Sequence, residues 1–242
     1  MHAGRNMPAD ERLVELRAVS KDYRGLRPLR VTNLELHQGE SLVLLGFDQV
    51  TAEVLVNLVT GAILPDAGEV IVMGRPTFSI NHADDWVETL DQFGLLSERA
   101  VLLAQLTAEQ NLAIPLSLEL DELPPEVRTH VKRLAHEVGL DDESLQSPLS
   151  ALTPLMRLRV RLGRALALGP RVLLAEHPNA SLSREEATTF AADLSRVVTE
   201  RRIASLVVTA DQAFARAVAG RVLTLQPATG ELKRAGWRSW FA

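Results

Sequence analysis

The sequence predicts an α/β domain built on a mainly parallel, covered sheet with a helical insertion. Apolar runs at 41–45, 171–175 and 203–209 are short and lack alternation, as strands buried on both faces do. Helical stretches separate them, the order that produces parallel strands. From about residue 96 to 168 the composition turns to Leu, Ala, Glu and Arg, with Pro115, the pair Pro124-Pro125, Pro148 and Pro154 as breakpoints. That pattern reads as a block of short helices.

Taken in order, residues 1–12 are polar and expected to be a flexible N-terminus with no signal-peptide core. Residues 13–18 and 30–37 alternate as half-buried strands, and the Gly39-Glu40 turn leads into the buried run 41–45. After Gly46 and a polar stretch, AEVLVNLVTGAIL suits a helix closed near Gly61. Asp48 or Thr51 would cap it, with Glu53 in its first turn favoured by the helix dipole. Pro65 to Gly68 is a turn, and Glu69 to Met73 a strand ending at Gly74. Beyond the helical block, a strand at 171–175, a helix at 183–201, a strand at 203–209, a short helix at 211–219 and a strand at 221–226 follow. There is no internal repeat and no low-complexity linker, so one domain spans 1–242, with a core of 13–97 and 170–242 and a helical subdomain of 98–169.

Composition excludes several classes of function. The chain has 242 residues and no cysteine, which removes disulfide frameworks, zinc ribbons, iron–sulfur clusters and thiol catalysis. With 26 basic against 31 acidic side chains the formal charge is −5, so no nucleic-acid partner is expected. No uninterrupted apolar run reaches the roughly 18 residues of a membrane span. The histidines show no ligand spacing, and no metal site is assigned. Trp237, Trp240 and Phe241 stand out in a chain with only 3 Trp, 1 Tyr and 6 Phe, as packing residues or as a partner or membrane-surface contact.

The order and wording of the segments resemble the nucleotide-binding subunit of an ABC transporter along nearly the whole chain. VSKDY is similar to the first strand with its adenine-stacking aromatic, here Tyr23, and residues 58–76 to the stretch after the phosphate loop. LTAEQNLAIPL, 106–116, is similar to the segment after the Q-loop, RLGRALALGPRVLLAEHP, 161–178, to the signature helix and Walker B strand, and SLVVTADQAF onward to the switch region. The resemblance implies a P-loop NTPase-like ABC ATPase fold, with N-terminal antiparallel strands beside the mainly parallel sheet and a helical subdomain.

The chemistry implied by that family does not carry over residue by residue. A phosphate loop needs glycines whose N–H groups surround the phosphates, a Lys, and a hydroxyl for Mg²⁺. Here the matching loop begins at Gly46, with Asp48 inside it. Gln49 and Thr51 stand at the glycine positions, Ala52 at the Lys and Glu53 at the hydroxyl. The 3 lysines, Lys21, Lys132 and Lys233, follow no glycine, so no intact motif lies elsewhere. Losing one positive and gaining one negative charge, at about 4 kcal/mol per unit pair before screening, amounts after discounting to on the order of a thousandfold in affinity.

The other motif positions change as well. The signature aligns with Leu152, Thr153, Pro154, Leu155 and Met156, where Pro154 has no N–H and Leu155 is bulky; Thr153 before Pro154 makes a good helix start. Glu176 replaces the Walker B Asp, and His177, a packed or solvent-facing residue or a base, replaces the catalytic Glu. Glu98 stands at the Q-loop Gln, Ser183 at the D-loop Asp and Ala210 at the switch His.

In the family two such domains meet head to tail, each nucleotide lying between one chain's phosphate loop and the other's signature. A chain lacking both halves spoils every composite site, whether as a homodimer or as a heterodimer with another ABC ATPase. The expectation is a pseudo-ATPase without ATP or Mg²⁺, structural or regulatory, cytoplasmic and peripheral on the inner face of the membrane through an integral-membrane permease. The 106–116 segment looks most like lipid-trafficking members, which points to lipid or lipoprotein transport. The alternatives are an active ATPase with non-standard motifs, using ATP and Mg²⁺, and a soluble regulatory module no longer tied to transport. In the family a groove beside the Q-loop receives the permease, and the matching residues are Glu98, Arg99, Val101, Leu102 and Leu103. Arg157, Arg159, Arg161 and Arg164 put positive charge along the signature helix, a solvated face or a partner contact.

Overall fold

A computed structural model describes residues 11–80 and 82–234; Trp237, Trp240 and Phe241 lie outside them. The chain forms strands β1 (Arg12–Lys21), β2 (Leu29–His37) and β3 (Ser41–Leu45), then helix α1 (Gln49–Val59), and strands β4 (Ala67–Val72) and β5 (Arg75–Pro76). Helix α2 (Ala83–Leu90) and strand β6 (Phe93–Leu96) precede the helical block α3 (Ala108–Ala113), α4 (Pro125–Glu137), α5 (Asp142–Gln146) and α6 (Pro154–Leu166). Strand β7 (Val172–Glu176), helix α7 (Arg184–Arg201), strand β8 (Ala204–Val208), helix α8 (Gln212–Val218) and strands β9 (Arg221–Gln226) and β10 (Glu231–Arg234) complete it.

One sheet has the order β10-β9-β3-β8-β7-β6, and all its neighbours pair in parallel except β9 with β10. A second, antiparallel sheet has the order β2-β1-β4-β5. This is the architecture the sequence predicts. The parallel strands are buried on both faces, and their alternation feeds two cores. Leu42, Leu44, Val172, Leu174 and Leu206 join the cluster holding α1 and the antiparallel sheet. Val43, Leu45, Leu173, Ala175 and Val207 join the one holding the helical block and α7. Because period-2 geometry sends successive side chains to opposite faces, one strand serves two layers.

The prolines act as the sequence suggests. Pro125 and Pro154 open α4 and α6, and the run after Leu152 starts with Thr153 as N-cap, its side chain accepting the Met156 N–H at 3.2 Å. Where β6 meets α6 the backbones touch so closely that a Cβ on Gly94 would stand 2.3 Å from the Ala165 carbonyl oxygen.

The structure departs from expectation at several places. Arg12 already belongs to β1, and Glu11 pairs with Arg171 at 2.7 Å, so the expected flexible N-terminus does not extend through residue 12. Helix α1 starts at Gln49, ahead of the AEVLV run, because the Asp48 cap nucleates it there. The elements α2, β6 and β10 have no counterpart in the sequence reading.

Candidate functional site

The C-terminal ends of β3, β7 and β8 converge, and the loop after β3 opens on Gly46 at φ +89. Carboxyl ends of parallel strands are where α/β folds assemble sites. Asp48 is the N-cap of α1, and its carboxylate accepts the Thr51 N–H at 2.7 Å. The Thr51 side chain first, and its N–H next, hold the Asp48 carboxyl below its ordinary range. The Thr51 N–H at this helix start therefore already faces an anion, the protein's own. Ala52 is fully buried, its N–H bonded to the Asp48 carbonyl at 2.9 Å.

Tyr23 closes the loop from above. Its hydroxyl lies 3.2 Å from the Thr51 Oγ1, and a Cβ on Gly25 would stand 2.4 Å from the ring, so the backbone at Gly25 lies directly against it. Glu53 is the fifth residue of α1, outside the first turn, and the dipole contact expected for it is not formed. It faces Arg99 instead, at 3.4 Å.

Arg99 is the centre of the arrangement. Its side chain, 33% exposed, directs the guanidinium to Glu176 and Glu53. Its Nε donates to Glu176 Oε2 at 3.1 Å and its Nη2 to Glu176 Oε1. Its Nη1 donates to Glu53 at 3.4 Å and to the Asn57 side-chain oxygen at 3.2 Å. The Glu176 side chain is 0% exposed and also accepts the Ser97 hydroxyl at 2.5 Å. A carboxylate buried that completely at the end of β7 requires a cation, and Arg99 supplies it. The hydrogen bonds to Glu176, foremost, raise Arg99 above its ordinary value.

Next to Glu176, His177 takes a left-handed conformation, φ +43, and donates its N–H to the Val208 carbonyl at 2.8 Å. Its Nε2 is buried and has no hydrogen-bond partner among the described residues. Ala210 is exposed beside Asp211, which caps α8 through the Ala213 and Phe214 N–H groups. Asn179 ties the two loops together, accepting the Thr209 hydroxyl at 2.8 Å and donating to Asp211 at 3.3 Å. Ser183 caps α7 in a capping box with Glu186.

Along the signature-like segment, Leu152 is buried, while Leu155 and Met156 pack against the core from its margin. Thr153 spends its hydroxyl on the helix cap.

A groove of about 460 Å³ runs between the segment after β6 and the first part of α6 with the residues before it. Glu98, Val101 and Leu102 line one side, with Leu149, Arg157 and Arg161 on the other. Val101 is 65% exposed and Leu103 37%, whereas Leu102 packs partly against the core. Glu98 is held by two hydrogen bonds from Arg161, at 2.9 and 2.8 Å, and Arg164 donates to the Val101 carbonyl at 2.7 Å. Burial first, then the charge of Arg161, lowers Arg164 below its ordinary value. Of the four arginines of α6, Arg159 pairs with Asp193 at 2.6 Å and Arg157 donates to the Leu152 carbonyl at 3.0 Å, so this face is largely engaged within the chain. Sequence reasoning missed Asn111, fully buried, whose side chain clamps Leu103 through both its N–H, at 2.9 Å, and its carbonyl, at 3.0 Å.

Comparison with known proteins bears on the same region. The family model described as ABC transporter matches residues 29–180. The ABC transporter ATP-binding protein YtrE of Bacillus subtilis is 28% identical over 77% of this chain and 80% of its own length. The sulfate/thiosulfate import ATP-binding protein CysA of Pseudomonas aeruginosa is 29% identical over 88% of this chain, which spans only 63% of that protein. Among solved structures, the dimeric structure of MJ0796, a bacterial ABC transporter cassette, superposes with a TM-score of 0.75 at 23% identity, over 92% of this chain and 97% of that one. The cbiO1 protein of Clostridium perfringens, part of the ABC transporter complex cbiONQ, gives a TM-score of 0.78 at 19% identity, over 93% of this chain and 88% of that one. These structural likenesses show the fold.

Proposed function

The chain belongs to the ABC transporter family, and we propose that it is a pseudo-ATPase of that family, a structural or regulatory subunit that docks on a membrane permease without nucleotide chemistry. The observation that carries this is the loop after β3. Asp48 occupies the Thr51 N–H at the start of α1, Ala52 offers no charge, and the Tyr23 hydroxyl is engaged by Thr51. A triphosphate arriving there would have to displace a carboxylate already bound to the helix start and then sit beside Glu53. The groove at Val101 and Leu102 retains apolar exposure, which suits a short permease helix, and the chain associates with the membrane through that contact and with a second ABC ATPase, identical or not. Among the described residues no helix is long and apolar enough to cross a membrane. For the cargo, a lipid or lipoprotein rests on residues 106–116 alone, since the names of similar proteins include sulfate/thiosulfate, spermidine/putrescine and methionine import.

The test is repair. Ala52→Lys with Glu53→Ser restores the charge and the hydroxyl, yet His177 and Ala210 still leave no group to activate water or sense the γ-phosphate. The double variant is expected to show no steady ATP turnover above a contaminant control. Sustained turnover would overturn the proposal in favour of an active ATPase with non-standard motifs.

A further inference from the structure

Two carboxylates from different elements, Glu53 on α1 and Glu176 at the end of β7, face one point, joined by the Asn57 side-chain oxygen and the Ser97 hydroxyl. Hard oxygen donors gathered from separate elements are what a divalent cation requires. The Mg²⁺ that the family would imply does not fit this set, because a guanidinium already stands at that point. We propose that Arg99 is the resident cation of the site and excludes a divalent metal from it. Deepening the pseudo-ATPase reading, this rests on the same loop but concerns the metal alone.

The hydrogen-bond inventory supports the assignment. Nε, Nη1 and Nη2 of Arg99 each meet an acceptor of the cluster, and both oxygens of Glu176 are engaged. With both oxygens engaged and its side chain 0% exposed, Glu176 has no solvent-facing side left for a hydrated ion. A metal and a guanidinium in the same place would also repel each other at low effective dielectric. The exchange has a mechanical consequence. A metal ion leaves with its ligand, whereas Arg99 is covalently part of the segment that continues to Val101 and Leu102. Arg99 ties that groove wall to the end of β7, and Asn111 ties it at Leu103 to α3.

Mn²⁺ titration without nucleotide tests this, followed by electron paramagnetic resonance of free Mn²⁺ and by the melting temperature. The wild-type chain is expected to take up no Mn²⁺ at about millimolar metal, a regime of weak binding. Arg99→Ala should bind Mn²⁺ at least about tenfold more tightly and melt higher with the metal than without it. Arg99→Ala with Glu176→Gln should lose both effects. Equal Mn²⁺ binding by wild type and Arg99→Ala, or a folded Arg99→Ala that gains none, would overturn the proposal. If Arg99→Ala does not fold, Arg99→Gln, which keeps an amide donor toward Glu176, is read against the same outcomes. With nucleotide left out, failure here leaves the pseudo-ATPase reading standing, and ATP binding by the wild type would overturn that reading without touching this one.

Discussion

The β3–α1 loop and the groove beside α6 lie on either side of one segment, residues 97–104, and their surfaces are opposite in kind. At the loop, charges are answered from within the chain: Asp48 by the helix start, Glu53 and Glu176 by Arg99. In the groove, charges are also paired, Glu98 with Arg161, but apolar side chains stay open. Groups that saturate one another have no binding energy left to offer a ligand, whereas exposed Val101 still gains by burial. The difference teaches where each region has contacts still to make: the loop answers its own charges, and the groove leaves apolar surface open, as the proposed docking role requires.

Breaking the closed side should cost most. Arg99→Ala leaves Glu176 buried without a cation and is expected to destabilise the fold by about 3 kcal/mol, the lower end of the range for broken buried pairs because Arg99 is itself 33% exposed. Urea unfolding measures it, and adding Glu176→Gln should recover most of the loss. Equal stability of the wild type and Arg99→Ala would mean that the cluster is not closed at all.

The open side separates into two residues. Leu102→Asp places a charge against the core it packs on and should cost about 2 kcal/mol, so loss of a partner in that variant would report folding. Val101→Asp, at a side chain 65% exposed, should shift stability by no more than about 0.5 kcal/mol. Co-purification from detergent-solubilised membranes should nevertheless fail for Val101→Asp. A partner retained by that folded variant would place docking elsewhere, or remove it and favour a soluble regulatory module.

Smaller effects sharpen the closed loop. Asp48→Ala removes the cap of α1 and is expected to cost about 1 kcal/mol by thermal unfolding. The pH dependence has a definite sign. The folded Asp48 carboxyl titrates below its unfolded value, so its contribution is present above the unfolded pKa, near 4, and is lost as pH falls through the folded one. Asp48→Asn keeps an acceptor that does not titrate. Below about pH 4 the wild type should therefore lose more stability than Asp48→Asn, by a few tenths of a kcal/mol given the exposure of the site.

The fold was legible where periodicity is strong. The runs 41–45 and 203–209 lack alternation because both faces are buried, and that alone marks them as central strands. Strand β6 escaped because it has four residues, Phe93–Leu96, one of them a glycine required by the close approach of α6. Strand β10, Glu-Leu-Lys-Arg, is a charged edge, the composition that protects an edge and also hides it. At the site, the local caps were legible by residue type, as at Thr153 and Asp48. The partnership of Arg99 was not, since it joins residues 46 and 77 positions away. One signal was present nonetheless: acids at both Glu53 and Glu176 left a charge that some cation had to answer.

The central claim is that the loop after β3 is closed to nucleotide. Calorimetric titration of the purified chain with ATP, with and without Mg²⁺, tests it most directly. No binding is predicted at millimolar nucleotide in either case, and a dissociation constant below about 100 µM, some 5.5 kcal/mol of binding free energy, would contradict it.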